Sequence, residues 1–136
     1  MYEIIEHTAD VGIRVRAASV NELFTEAARA LFSLLIGEPE TVRQTQTMSF
    51  HLVADDLESL LHDWLAELLY IFHVRRLVLH RFDVQVDDNR LAATVSGEPL
   101  AMDRHHVEVE VKAVTWHGLK VLHEGKQWVA EVVLDI

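Results

Sequence analysis

The chain has no cysteine, two prolines and five glycines among 136 residues. Without thiols it forms neither disulfides nor thiolate metal sites. No glycine-rich phosphate loop occurs, and Ser49, Ser59 and Ser96 sit in no nucleophile elbow. Charges interrupt every apolar run well short of the about 20 residues that span a bilayer. Nothing at the start joins a basic segment to an apolar stretch and a small-residue cleavage site. A cytoplasmic protein without membrane association is expected. Cations are scarce as well, with 12 Lys plus Arg against 22 Asp plus Glu and a formal charge of -10. Phosphate-backbone binding needs clustered cations, and the nearest approaches are Arg75-Arg76 and Arg14 with Arg16. Strong direct binding of nucleic acid is therefore not expected. Such acidity suits a cation or the basic surface of another protein.

What is present is a chain that is 50% hydrophobic, without low-complexity segments. Its length fits one domain over residues 1–136, burying roughly two-thirds of the surface an unfolded chain exposes. Tyr2 to Ile5 reads as a short strand, interrupted at His7-Thr8-Ala9-Asp10. From Val11 the alternation is clean, with Val11, Ile13, Val15 and Ala17 opposite Gly12, Arg14 and Arg16. Ser19 and Glu22 form a capping-box signature. The helix that follows repeats apolar residues from Val20 to Leu35, and Gly37 and Pro39 stop it. A strand region follows over about Val42 to Val53. Asp55 and Asp56 open a second helix with a wide apolar stripe from Leu57 to Phe72.

Everything after about Leu77 reads as β. Asp87-Asp88-Asn89 and Glu124-Gly125-Lys126 are hairpin turns. Gly97-Glu98-Pro99 is expected to break a strand, and Val107 to Thr115 alternates as one. The order ββαβα followed by several strands, without repeats, predicts an α+β fold. Two amphipathic helices pack on a mostly antiparallel β-sheet in a single domain.

At the far end, Trp128, Ala130, Val132, Leu134 and Ile136 share one strand face, and Asp135 lies on the other. Packing of Ile136 would fix its free main-chain carboxylate beside the Asp135 carboxylate. Asp10 shares the polar face of its strand with Arg14 and Arg16. Taken alone, Thr8 and Asp10 form a hydrogen-bonded turn, and Asp135 is a solvated strand end. Were Asp10 to join the other two groups, three carboxylates would repel unless a cation neutralised them. All-oxygen ligation favours a hard ion, Ca²⁺ or Mg²⁺.

Nine histidines (His7, His51, His62, His73, His80, His105, His106, His117 and His123) raise zinc as an alternative. None lies in an H-E-x-x-H unit, and scattered surface or hydrogen-bonded histidines are expected, with His7 or His105 left open as a ligand. Lys112, on the polar face with Glu108 and Glu110, is either a cross-strand ion pair or a contact to phosphate or carboxylate.

The same residues carry a resemblance along nearly the whole chain. Tyr2-Glu3 through His7-Thr8-Ala9-Asp10 is one block. Asp56-Leu57-Glu58-Ser59-Leu60-Leu61, Asp63-Trp64-Leu65 and Glu67-Leu68-Leu69 make another. Arg104-His105, then Lys112-Ala113-Val114-Thr115 with His117-Gly118-Leu119, and finally Leu134-Asp135-Ile136 complete it. In this order they resemble the archease family. The resemblance implies a small non-catalytic cofactor protein of the RNA ligase in tRNA splicing and RNA repair. That ligase joins 3′-phosphate or 2′,3′-cyclic-phosphate ends to 5′-hydroxyl ends, and archease promotes its guanylylation from GTP and its repeated turnover. The family's Ca²⁺ site maps to Asp10 and Asp135, with the Ile136 carboxylate as a third donor, and its functional lysine maps to Lys112. Two other classes stay open: a stand-alone metal-dependent phosphatase or nuclease, and a general chaperone or interaction module.

Overall fold

The computed structural model describes residues 1–6, 10–37 and 41–136. Its elements are β1 (Tyr2–Glu6), β2 (Asp10–Ala17), α1 (Val20–Leu35), β3 (Gln46–Val53), α2 (Leu57–Val74), β4 (Leu77–Asp87), β5 (Arg90–Pro99), β6 (Ala113–Val114), β7 (Lys120–Glu124) and β8 (Gln127–Asp135). All strand pairings among the described residues are antiparallel. One sheet runs β1-β2-β8, with β7 and β6 sharing the far side of β8; the other runs β3-β5-β4.

Local chemistry sets the element ends. Ser19 Oγ accepts from the Glu22 N–H at 3.2 Å and Asp56 Oδ1 from the Ser59 N–H at 2.7 Å, each satisfying an orphan donor of a first helical turn. The hairpin turns hold Asp88 and Gly125 at positive φ, 54° and 61°, where Asp and Gly are the tolerated residues. Helix α1 packs on β2 and β4, α2 packs on β4, β6 and β3, and the two helices touch. The core between them is aromatic: Phe32 lies 5.7 Å from Phe82 and 6.1 Å from Phe72, and Trp64 packs on Phe50 at 5.8 Å. The Trp64 Nε1–H donates to the Phe24 carbonyl at 2.9 Å, joining the helices inside the core. No described helix is long and apolar enough to cross a membrane.

Two expectations are corrected. β5 does not break at Gly97 but continues to Pro99. A bulge in β4 between Leu79 and Arg81 brings its backbone against Gly97, where a Cβ would lie 1.9 Å from the Val78 carbonyl oxygen. Glycine here admits the neighbouring strand. Only Ala113–Val114 of the segment Val107 to Thr115 is strand. Val107 instead bridges Ile36, and the N–H groups of Glu108 and Val109 donate to the Leu35 and Leu34 carbonyls at 3.0 and 3.2 Å. The segment is extended, but it serves orphan carbonyls at the end of α1. Pro39, read as a helix stop, lies outside the described residues.

Candidate metal centre

The alternation of β2 and β8 fixes the site. Val11 pairs with Leu134, Ile13 with Val132 and Val15 with Ala130, and all six are buried on the core face. A one-residue slip would expose all of them, so burial locks the register. That register places Asp10 directly opposite Asp135. Side chains of such partners share a face, with Cβ atoms about 4.5–5.5 Å apart. Asp135 is exposed, whereas Asp10 Oδ1 is buried and has no hydrogen-bond partner among the described residues. Burying a carboxylate oxygen unpaired is costly, so this atom calls for a cation or donor. Ile136 is half-buried and packs against the core, as its place on the apolar face predicts.

A third strand closes on the same point. Ala113 is the β6 partner of Asp135, and the Lys112 N–H donates to the Asp135 carbonyl at 2.8 Å. Lys112 is exposed and makes no ion pair with a described carboxylate. The fold thus brings Asp10, Asp135 and Lys112 to one end of the five-stranded sheet, from three distant stretches of sequence. His7 lies outside the described residues, and among these no three His, Cys, Asp or Glu side chains gather into a metal cluster. The register brings the carboxylates of Asp10 and Asp135 together. That set fits a hard divalent ion.

A cleft of about 480 Å³ opens beside Asp10 on the outer face, lined by Gly12, His117, Gly118 and Glu131. Its charged wall is already balanced. Arg14 Nε donates to Glu131 Oε1 at 2.8 Å, and Lys120 Nζ lies 3.2 Å from Glu131 Oε2. The Arg14 hydrogen bond, opposed by burial and helped by Lys120, holds the Glu131 carboxyl below its ordinary value. The loop carrying His117 is fixed by Thr115, whose hydroxyl donates to the Val133 carbonyl at 3.0 Å and accepts from the His117 N–H. Trp116, exposed, stacks on His62 at 3.7 Å between ring centroids. A larger cleft of about 590 Å³ lies elsewhere, around Asn21, Glu26 and Arg29. Glu26 there already pairs with Arg29 at 2.6 Å and with the Met1 ammonium at 3.2 Å.

Residue spacing missed one polar cluster. Glu98, buried at 5% exposure, accepts from the Arg43 N–H and from Arg104 Nη1. His105 Nδ1 accepts from the Ala101 N–H at 2.9 Å, which leaves Nε2 to carry the ring proton, 3.5 Å from Glu98 Oε1. Burial raises the Glu98 carboxyl, but the Arg43 N–H together with the charges of Arg104 and Arg43 outweighs it and holds the group low. The available signal was an acid in an apolar strand followed closely by Arg104-His105. Two other histidines are bound locally as well: His62 Nε2 meets the Val114 carbonyl at 3.2 Å and His73 Nε2 the Val111 carbonyl at 2.8 Å.

Comparison with known proteins agrees with this architecture. Residues 2–136 match the model of the Archease protein family (MTH1598/TM1083). Protein archease of Methanopyrus kandleri is 38% identical over 139 residues, covering 99% of both chains. That of Pyrococcus abyssi is 37% identical and covers 99% of this chain and 98% of its own. The solution structure of Methanobacterium thermoautotrophicum protein 1598 superposes with a TM-score of 0.87 at 32% identity, covering 99% of this chain and 98% of its own. The crystal structure of a Thermotoga maritima archease, described as a possible chaperone, gives 0.70 at 23% identity over 100% of this chain and 98% of its own, and speaks for the fold alone. The chain belongs to the archease family.

Proposed function

We propose that this chain is a non-catalytic, cytoplasmic activator of the GTP-dependent RNA ligase that joins 3′-phosphate or 2′,3′-cyclic-phosphate ends to 5′-hydroxyl ends. It acts through a divalent ion, Ca²⁺ or Mg²⁺, held by Asp10, Asp135 and the Ile136 main-chain carboxylate. The observation that carries this is the buried Asp10 Oδ1, unpartnered among the described residues, opposite Asp135. An ion there supplies positive charge suited to the phosphates of GTP as the ligase histidine takes up GMP. The acidic chain docks near the cationic nucleotide site of the ligase. Lys112, exposed beside Asp135, is placed to meet phosphate or an acidic residue of the ligase.

The test is single-turnover guanylylation of the ligase with the wild-type chain, Asp10→Ala and Asp135→Ala. Stimulation is expected to be lost in both variants and on chelation; unchanged stimulation by both would overturn the proposal. Residues appended after Ile136 move the free carboxylate and leave every side chain in place. Survival of ion affinity and activation in that variant removes the terminal carboxylate from the ligand set. The general chaperone remains the second reading, since a Thermotoga relative is described as a possible one. It predicts help to unrelated clients and indifference to loss of Asp10. Phosphatase or nuclease turnover by the purified chain with Mg²⁺ or Mn²⁺ would replace both.

A further inference from the structure

Two imidazoles of α2 reach the main chain on either side of Lys112. His73 Nε2 lies 2.8 Å from the Val111 carbonyl, and His62 Nε2 lies 3.2 Å from the Val114 carbonyl. A carbonyl oxygen only accepts, so both Nε2 atoms carry a ring proton and donate it. Eleven residues separate His62 from His73, roughly three turns at about 3.6 residues each, so both project from one face of the helix. The later histidine meets the earlier carbonyl, so α2 and the segment run in opposite directions.

Each ring is itself held. His62 stacks on Trp116 with 3.7 Å between centroids, and its Nδ1 lies 3.1 Å from Asp63 Oδ1. His73 meets the buried Phe72 ring edge-on, 5.3 Å away at 71°. The donors are therefore aimed before they reach the carbonyls.

The segment has little else to fix it. β6 has two residues, lies at the end of its sheet and pairs with β8 alone among the described residues. Lys112 precedes it and meets β8 through its N–H, 2.8 Å from the Asp135 carbonyl. Val111 and Val114 are buried, whereas Lys112 between them is exposed. Short edge strands fray, and water would serve to satisfy their outer carbonyls. Two oriented donors add direction, which water does not.

We propose that His62 and His73 are positioning residues, which clasp the main chain around Lys112 and fix where its ammonium projects. This rests on the role proposed above for Lys112. A misplacement of about 1 Å at a group that must meet a defined target costs much of its effect. The bland alternative is that the histidines only cover an open strand edge.

Hydrogen exchange of the full chain reads the clasp without any ligase. His62→Phe with His73→Phe keeps two rings and removes both donors, while His62→Gln with His73→Gln keeps a side-chain N–H in each place. Exchange at the Lys112 amide is expected to quicken at least about tenfold in the Phe pair and to stay near wild type in the Gln pair. Circular dichroism is expected to show both pairs folded. In single-turnover guanylylation the Phe pair is expected to lose at least about tenfold in stimulation, which the Gln pair restores. Combined with Lys112→Met, the Phe pair is expected to cost nothing further, because both act through one side chain. Unchanged exchange in the Phe pair overturns the clasp. Faster exchange with full stimulation, or losses that add to those of Lys112→Met, overturns the positioning role in favour of edge cover. Should the Phe pair unfold, His73→Phe alone decides by the same readings. A wild-type chain that leaves the ligase unstimulated overturns the activator reading instead, and exchange then decides the clasp by itself.

Discussion

Arg14 lies opposite Glu131 across β2 and β8, with Nε 2.8 Å from Oε1, on the same outer face as the Asp10–Asp135 pair. Glu131 has two cations, Arg14 and Lys120. Asp10 and Asp135 have none among the described residues. One ladder therefore holds a balanced carboxylate and, at its end, an unbalanced pair.

The imbalance gives a stability test whose sign depends on the ion. In chelator, Asp10→Asn removes a half-buried charge that faces Asp135 and is expected to stabilise the fold by up to about 1 kcal/mol. With Ca²⁺ at a hundredfold excess over Kd, the wild type gains about 2.7 kcal/mol by mass action and the variant gains little. Urea unfolding under both conditions should therefore reverse the order of the two proteins. A parallel response would show that no ion binds at Asp10.

Acid should expose the second carboxylate network. The Glu98 carboxyl is held below its ordinary value in the folded chain. Its stabilisation is thus full above the ordinary carboxylate range and is lost as pH falls through the lower folded value. Glu131 contributes with the same sign. Glu98→Gln leaves the Arg104 guanidinium without its carboxylate, at an expected cost of about 2–4 kcal/mol at neutral pH. Denaturant titrations between about pH 3 and pH 7 should show a shallower acid limb in the variant than in wild type. Parallel limbs would mean that Glu98 is not a source of the acid sensitivity.

Features governed by near neighbours were legible in the sequence. Ser19 and Asp56 as caps, the turns at Asp88 and Gly125, and the faces of β2 and both helices each follow from residues within a few positions. Gly97 misled because its role is set by the β4 bulge, which reaches it only through tertiary pairing. Glu108 and Val109 misled because their hydrogen-bond partners are carbonyls at the end of α1, and alternation does not say which acceptor an extended segment will find. The Asp10–Asp135 pairing depends on register between opposite ends of the chain. Spacing cannot supply that register, but burial of Val11, Ile13, Val132 and Leu134 does.

Two glycines separate close approach from turn geometry. A Cβ at Gly97 would meet the Val78 carbonyl oxygen at 1.9 Å, whereas one at Gly118, with φ of 65°, would meet nothing within 4 Å. Gly97→Ala must move a strand and is expected to cost at least about 3 kcal/mol. Gly118→Ala pays backbone strain alone, about 1 kcal/mol. Urea midpoints of the two variants measure the difference. Equal small losses would show that β4 can yield at the bulge.

Lys112 separates holding an ion from using it. Its main-chain N–H, not its ammonium, anchors the Asp135 carbonyl, and the side chain is exposed without an ion pair to a described carboxylate. Lys112→Met keeps the main-chain bond, so stability should stay within about 0.5 kcal/mol of wild type. Removal of a positive charge near the site leaves Ca²⁺ affinity unchanged or slightly tighter. Stimulation of ligase guanylylation should nevertheless fall at least about tenfold, equivalent to about 1.4 kcal/mol, even at saturating ion. Calcium titration calorimetry and single-turnover guanylylation on the same preparations distinguish this role from its alternative. If Lys112 only tunes the aspartates, ion affinity changes and excess Ca²⁺ restores stimulation. If the ammonium meets the ligase or its phosphate, affinity holds and stimulation stays low.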